Sequence, residues 1–399
     1  MATASTGPIL PPATIGILGG GQLGRMLGSA ARALGYRIVV LDPDPFCPAR
    51  AVADAVEVGG YDDVEAALRL ADRADVVTPE LEHVGPAVVA ALEERCGGLL
   101  RPGARAIRAT QDRLAERRFL DSIGAPIAEW REVRTEAALA RAVGELPGTG
   151  YRLKAALGGY DGRSQIRIAP DPSDAELAAA FAALAGPAAA HGLLLEREVD
   201  FAAELSVVTA RGLDGSLRPY PLARNRHEEG ILVESVAPAP VDAAVADAAR
   251  SLGERIAVGL EAVGVTTAEL FLRRDGSLAV NELAPRVHNS GHWTLDGAAT
   301  SQFEQHVRAI CGLPLGATDA LAPTAIVNLL GSGPRRPARL AGGERALADP
   351  AVHLHLYGKR EVVERRKMGH VTALGASTDD ALRRAAGALA SLSWEPVDG

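Results

Sequence analysis

The chain has 399 residues, 47% hydrophobic, 23% charged and only 4% aromatic, a length too great for one hydrophobic core and a composition that builds two or three domains from small side chains. A formal net charge of −8 leaves no basic field for a polyanion, which argues against nucleic acid or an anionic membrane surface as a partner. Cys47, Cys96 and Cys311 are odd in number and lack C-x-x-C spacing, so they imply neither a disulfide framework nor a zinc site and fit a reduced, cytoplasmic setting; no stretch approaches the roughly 20 apolar residues of a membrane span.

Residues 1–12 lack the order of a signal peptide, a basic stretch and then an apolar one, and are expected to form a flexible leader. Thr14–Leu18 is a short apolar run, the cluster Gly19–Gly21 follows, and Leu23, Met26, Leu27, Ala30 and Leu34 recur at helical spacing up to Gly35, predicting strand, turn and helix. Arg37–Leu41, ending at Asp42, and Ala74–Thr78, ahead of Pro79-Glu80, add buried strands, so residues 13–109 predict a Rossmann-like domain of parallel β/α layers closed by Pro102-Gly103. Thr110 is expected to cap a helix through about Ile123, stopped by Gly124-Ala125-Pro126, and a mixed α/β domain is expected over 110–312. The Ala-rich stretch 174–190 reads as a surface helix and its turn. Beyond Leu313-Pro314, a Gly/Pro/Arg-rich segment at 331–337 and β-like runs at Val352–Tyr357 and Gly369–Leu374 predict a small β-rich domain over 313–399.

Five segments carry candidate chemistry. Gly19-Gly20-Gly21-Gln22-Leu23-Gly24 satisfies G-x-G-x-x-G between a strand and a helix, with Asp42 where a ribose-binding acid would stand; glycines at a helix N-terminus hold any phosphate, of a dinucleotide or of a sugar, and also serve tight packing. Thr266–Leu272 and Ser277–Glu282 flank Arg273-Arg274-Asp275-Gly276, and Asp-Gly signals a hairpin. With Asp275 and Gly276 as a two-residue loop, Glu269 falls opposite Glu282 with Cβ atoms about 5 Å apart, which is unfavourable for like charges unless a cation sits between them. Oxygen-only ligands suit Mg²⁺, completed by substrate phosphates; two separately solvated glutamates, or a register shifted by one, is the bland alternative.

Lys154 precedes a loop with glycines at Gly158, Gly159 and Gly162, a combination that can close over a triphosphate or simply form a glycine-rich hairpin beside a solvated lysine. Pro285–Trp293 is dense in polar groups: Arg286 can clamp an oxyanion, His288 or Asn289 can orient a small oxyacid, and His292 is left unassigned, since a lone histidine is more often structural. Lys359, Arg366 and Lys367 form a basic cluster in an acidic chain, either a phosphate contact or a solvated strand edge.

Taken together, GGGQLGRM (19–26), T-x-E-x-E-H-V (78–84), QDR (111–113), GGYDGR (158–163), NELAPRVHNSGHW (281–293), NLLG (328–331) and RKMGH (366–370) resemble the ATP-grasp ligases, specifically the bicarbonate-using N5-carboxyaminoimidazole ribonucleotide synthase family of purine biosynthesis. The resemblance covers nearly the whole chain. It implies an α/β protein with an ATP-grasp domain, an N-terminal Rossmann-like (pre-ATP-grasp) parallel-sheet domain and a small C-terminal β-rich domain. It implies the ATP-dependent carboxylation of 5-aminoimidazole ribonucleotide with bicarbonate, by way of carboxyphosphate, in a cytoplasmic homodimer.

The same resemblance assigns residues. ATP is expected at Arg113, Lys154, the loop Gly159, Tyr160, Asp161, Gly162, Arg163, Ser164 and Gln165, the run Glu196, Arg197, Glu198 and Val199, then Glu204, His227, Asn281 and Glu282. Glu269 and Glu282 match the ligands of Mg²⁺, for which Mn²⁺ can substitute. The ribonucleotide 5′-phosphate is expected at Gly20, Gly21, Gln22 and Leu23 with Lys359 and Arg366, and Glu80, Glu82 and Asn289 shape the pocket. Asp161 is the candidate for the amine proton, Tyr160 for the lid, and Arg286 with His288 for holding carboxyphosphate. The chain departs from the family pattern at Ala155-Ala156-Leu157, Ser164 and Glu364-Arg365, and at Arg117, where lysine is common. Three rivals are set against this reading: a nicotinamide oxidoreductase, which leaves the glutamate hairpin and second glycine loop unexplained; an ATP-grasp ligase for another acid; and a nucleotide sensor without turnover.

Overall fold

The computed structural model describes residues 7–146, 148–157, 164–184 and 191–395. Its first unit is a parallel four-stranded sheet, in the order Ala55–Val58, Arg37–Asp42, Thr14–Leu18, Val76–Pro79, with helices Gln22–Ala33, Val64–Ala71 and Pro86–Cys96 between and after the strands. Three of the four strands, Thr14–Leu18, Arg37–Asp42 and Val76–Pro79, are buried along most of their length, which explains why they read as unbroken apolar runs rather than as alternating ones. The last of them lies two residues later than Ala74 at its start, and Pro79 at its end is tolerated on the outer flank.

Residues 7–12, expected as part of a flexible leader, are tied down instead. The N–H of Ile9 donates to the carbonyl of Cys311 (2.8 Å), and the Tyr36 hydroxyl donates to the carbonyl of Ile9 (2.7 Å). An apolar Ile9 with both backbone groups paired packs on the core that the first sheet shares with the rest of the chain.

The helix expected to start at Thr110 is two helices, Ala104–Gln111 and Arg113–Ser122. Asp112 accepts from the N–H groups of Leu114 (2.7 Å) and Ala115 (3.2 Å) and is the cap. Thr110 bonds back to the carbonyl of Ala106 (3.0 Å), so it ends the first helix rather than starting the second.

A small antiparallel sheet, in the order Trp130–Val133, Leu193–Arg197, Tyr151–Ala155, Gln165–Ile168, carries helices Glu136–Glu145 and Asp174–Leu184 on one face. The larger sheet has nine strands. Its path runs Leu278–Ala284, Gly264–Arg273, Phe201–Arg211, Ala223–Glu228, Ile231–Ala237, Thr324–Leu330, Lys367–Leu374, Val352–Leu356, with Leu217–Pro219 beside the third. It passes without a break through the position near 313 where a domain boundary was expected.

The parallel sheet is locked to the large one by helix Gln302–Ile310, which packs on helix Gln22–Ala33. His306 sits between them, fully buried: Nδ1 accepts from the N–H of Val265 (3.0 Å) and Nε2 meets Thr78 Oγ1 (2.9 Å). The first bond fixes the proton on Nε2, and burial pushes the imidazole down to about 4, so the joint is neutral.

Candidate active site

One cleft gathers side chains from both antiparallel sheets. Lys154, Glu196 and Glu198 reach it from the small sheet, and Glu204, His227, Glu269, Asn281 and Glu282 from the large one. Arg113 and Arg117 enter from a helix, His288 and Asn289 from the loop after the hairpin, and Lys367 from the C-terminal part.

The hairpin is built differently from its expectation yet brings the same two residues together. Arg273 pairs with Ser277 (N–H to carbonyl, 2.8 Å), not Arg274, and Gly276 at φ +84° takes the left-handed place of a three-residue loop. The ladder then runs Leu272 to Leu278, Phe271 to Ala279 and Leu270 to Val280, one step out from the expected register. A bulge at Asn281 inserts one extra residue, and Glu269 lies opposite Glu282 after all. The two-residue turn is corrected; the facing of the glutamates is observed.

Glu269 is held well above the ordinary carboxylate range, by burial first and by the negative charge of Glu282 second. Its nearest basic partner is His288 Nε2 at 3.6 Å, and among the described residues Glu282 makes no ion pair. A divalent cation fits this donor set: two oxygen ligands, one of them reluctant to ionise without a positive charge nearby. Among the described residues no group of three or more His, Cys, Asp or Glu could hold a metal, so the protein offers a pair of carboxylates and not a closed cage.

Across the cleft, Glu196 accepts from Lys154 Nζ (2.6 Å) and from Arg117 Nε (2.5 Å). Burial alone would raise this carboxyl, but Arg117 and then Lys154 bring it down to about 2. Glu198 is paired with Arg152 (2.8 Å) and Arg167 (2.9 Å), while Arg197 turns out to Glu129 (3.2 Å). His227 Nδ1 meets Glu204 Oε2 at 3.0 Å; burial lowers this imidazole, but the Glu204 bond and the nearby Glu269 charge outweigh it and leave it raised.

In the loop after the hairpin, Arg286 sets Nε and Nη2 on Glu82 Oε2, both at 2.6 Å. Glu82 is lowered by this arginine against the effect of its burial. His288 is pushed well down by burial and by the positive Arg286, so it is neutral, with Nδ1 at 2.9 Å from Ser290 Oγ. The side chain of Asn289 lines the cleft, buried, with neither its amide nitrogen nor its oxygen bonded within the described chain, so both are available to a partner there. His292, left unassigned by its sequence, is fully buried; its Nδ1 meets Gln302 Nε2 (3.2 Å) and its Nε2 has no hydrogen-bond partner among the described residues.

The N-terminal glycine loop corrects another expectation. The N–H of Gly20 donates to Asp42 Oδ2 (2.8 Å), and those of Gly21 and Gly24 donate to the two oxygens of Glu80. A helix N-terminus draws an anion, and here the chain supplies its own: Glu80, a residue on another strand's end, does the work of the missing side-chain cap. Gly20 and Gly21 therefore present no open amide to a phosphate. Asp42 also accepts from the Tyr61 hydroxyl (2.8 Å), so the acid on which a dinucleotide reading relied is already engaged. The close fit explains the glycines: a Cβ on Gly24 would lie 2.5 Å from the carbonyl oxygen of Gly19, itself at φ +107°. Gln22 and Leu23 begin the helix, and Gln22 Oε1 accepts from Lys359 Nζ (2.9 Å), bringing the C-terminal part onto this loop; Arg366 lies exposed nearby in sequence and bonds the carbonyl of Glu361 (3.2 Å).

Ser164 and Gln165 line the cleft, whereas Gly159, Tyr160, Asp161, Gly162 and Arg163 lie outside the described residues. Sequence reasoning missed Glu116, which no motif marks, and gave Arg117 only as a departure; both are buried charges beside the site. It also missed the Phe201–Phe271 stack (centroids 4.6 Å apart) at the cleft wall, for which period-2 aromatic positions in facing strands are the available signal.

Three family models match the chain: a ribonucleotide synthetase preATP-grasp domain over residues 12–111, an ATP-grasp domain over 118–303, and a phosphoribosylaminoimidazole carboxylase C-terminal domain over 324–384. Among curated proteins, the N5-carboxyaminoimidazole ribonucleotide synthase of Brucella melitensis biotype 1 is 42% identical over 368 residues, covering 92% of this chain and 98% of that protein. The enzyme of the same name from Bacillus subtilis is 40% identical and covers 93% and 94%. Among solved structures, an ADP complex of an N5-carboxyaminoimidazole ribonucleotide synthetase has a TM-score of 0.85 at 39% identity, covering 96% of this chain and 98% of that one. An Aspergillus clavatus N5-carboxyaminoimidazole synthase in complex with ADP and 5-aminoimidazole ribonucleotide has a TM-score of 0.83 at 30% identity, covering 95% and 98%.

Proposed function

We infer that this chain, which belongs to the family of N5-carboxyaminoimidazole ribonucleotide synthases, carries out the ATP-dependent carboxylation of 5-aminoimidazole ribonucleotide in purine biosynthesis. The observation that carries the reading is the cleft itself: Glu269 facing Glu282 on one side, Lys154 bridged to Glu196 on the other, and the unsatisfied Asn289 amide at its end.

In this reading ATP lies along Arg113, Lys154, Ser164, Gln165, the run 196–199, Glu204, His227 and Asn281. Glu269 and Glu282 would hold Mg²⁺, for which Mn²⁺ can substitute, and the cation would supply positive charge to the phosphates. An oxygen of bicarbonate bonds to the γ-phosphorus as the bond to the ADP oxygen breaks, giving carboxyphosphate. The 5-amino nitrogen of the ribonucleotide then bonds to the carboxyl carbon, phosphate departs, and the amine proton passes to Asp161. Arg286, released from Glu82 onto the carboxylate, and the neutral His288 hold the small acid, His288 through a single hydrogen bond rather than a charge.

The ribonucleotide is placed between Glu80, Glu82 and Asn289, with its phosphate toward Gln22, Leu23, Lys359 and Arg366. Gly20 and Gly21 serve as the frame of that pocket, since their amides are taken. We extend the reading to a cytosolic homodimer on the family expectation; light scattering on the purified chain tests the assembly.

The test is ADP release by the purified chain with Mg²⁺-ATP and bicarbonate, with and without aminoimidazole ribonucleotide, together with detection of the acid-labile carbamate. Release stimulated by the ribonucleotide, with carbamate formed, is the expected result. Binding of ATP without stimulation would move the substrate to another small acid or amine.

A further inference from the structure

Glu116 and Arg117, two residues beside the cleft, touch the backbone of the metal-side strand at its bulge and two residues beyond it. Arg117 Nη2 donates to the carbonyl of Asn281, and Glu116 Oε2 accepts from the N–H of Leu283 (2.9 Å). Arg117 also holds Glu116 through Nη1 (2.9 Å) and Glu196 through Nε, so every nitrogen of its guanidinium is used and the pair is fixed as a unit. Both residues are almost fully buried, at 3% and 2% exposure.

Strand Leu278–Ala284 is the edge of the large sheet, so its outer backbone groups have no neighbouring strand along their whole length. Val280 N–H is met by the carbonyl of Pro126 (2.7 Å). In a regular strand consecutive residues bond to opposite sides, yet here Val280 and Asn281 both bond outward, and the bulge lies between them. The outward groups of Asn281 and Leu283 are then taken by a guanidinium and a carboxylate in place of a strand. With Asn281 paired regularly, Glu282 would lie one residue out of register and its side chain on the opposite face from Glu269.

We propose that Glu116 and Arg117 are positioning residues that clamp the bulge at Asn281 and thereby keep Glu282 opposite Glu269; this rests on the reading of those two glutamates as the cation ligands. Through Glu196 the same guanidinium is also one step from Lys154, so the clamp ties the cation side of the cleft to its lysine side. The departure from the common lysine has a physical content here: a lysine offers one ammonium where this arginine serves three acceptors in three directions.

The test is a titration of Mn²⁺ into the full-length chain with ADP present, read by the electron paramagnetic resonance signal of the free ion, on the wild type and on Arg117→Met, Arg117→Lys, Glu116→Ala and Glu282→Ala. Supporting residues of this kind cost roughly 10- to 100-fold in metal affinity, so Arg117→Met and Glu116→Ala are expected to weaken Mn²⁺ by about tenfold or more, and Arg117→Lys, which keeps the charge but not the three-way fork, to return only part of that loss. Amide exchange at Leu283 is expected to quicken in Glu116→Ala. If Arg117→Met does not fold, Glu116→Ala, which removes the acceptor of the Leu283 amide and of Arg117 Nη1 but leaves the guanidinium on Glu196 and Asn281, carries the test. Clamp variants that fold and bind Mn²⁺ like the wild type, while Glu282→Ala does not, would overturn the proposal alone. Unchanged binding in Glu282→Ala as well would overturn the metal reading and the proposal with it.

Discussion

Two regions of this molecule crowd acidic side chains together, and they do so for opposite ends. At the N-terminal glycine loop, Asp42 and Glu80 meet the amides of Gly20, Gly21 and Gly24, and each carboxylate oxygen so used has a donor. At the hairpin, Glu269 and Glu282 face each other with the nearest basic nitrogen 3.6 Å away. Acids whose donors come from the chain complete a structure, whereas acids left without donors in a cleft wait for a cation. A glycine-rich motif alone therefore says less about a ligand than the state of its amides does.

Removing an acid from each region gives the largest contrast. Glu282→Ala is expected to cut turnover by about a thousandfold or more, about 4 kcal/mol at tenfold per 1.4 kcal/mol, while the ligand-free chain melts at or above the wild-type temperature because a like-charge contact is gone. Steady-state kinetics and thermal melting on one preparation check both halves. Glu80→Ala should do the reverse to stability, lowering it by roughly 1–3 kcal/mol through the two orphaned amides, measured by urea unfolding. A Glu80→Ala chain as stable as the wild type would erase the distinction between the two regions.

The smallest effect is in the pH dependence. Glu269 is raised in the folded chain, so between the ordinary carboxylate value and neutrality the folded state binds more protons than the unfolded one. Its contribution to stability is complete below the unfolded value and is lost as pH rises through the folded one, and cation affinity climbs over that same window. Glu196 has the opposite sign: held at about 2, it stabilises above its unfolded value of 4.5 and loses that contribution as the pH falls. Melting curves from pH 4 to pH 8, compared with Glu282→Gln, are expected to show a shallower slope in the variant.

The strands and helices of the parallel unit were legible because burial on both faces writes apolar runs such as Ile15–Leu18 and Ile38–Leu41, bracketed by glycine and aspartate. The facing of Glu269 and Glu282 was legible only because two departures cancel: a three-residue loop shifts the ladder by one, and the bulge at Asn281 shifts it back. Neither departure has a local signal, since Asp-Gly suits several loops and a bulge is fixed by what lies beside the strand. Thr110 and Asp112 are equally good caps on paper, and packing against the carbonyl of Ala106 decides between them. Glu116, Arg117 and the occupation of the glycine loop by Glu80 depend on contacts across tens to hundreds of positions, which spacing does not encode.

The continuity of the large sheet also bears on how the chain can be cut. Strand Thr324–Leu330 pairs with Ile231–Ala237 on one side and Lys367–Leu374 on the other, so the C-terminal fifth is a set of rungs in the ladder that ends at the glutamate hairpin. Truncation ahead of Thr324 would strip a neighbour from Glu234–Ala237, leaving a flat apolar edge open to pairing between molecules. Protease nicking near residue 313 should accordingly yield fragments that stay associated under native conditions and precipitate once separated.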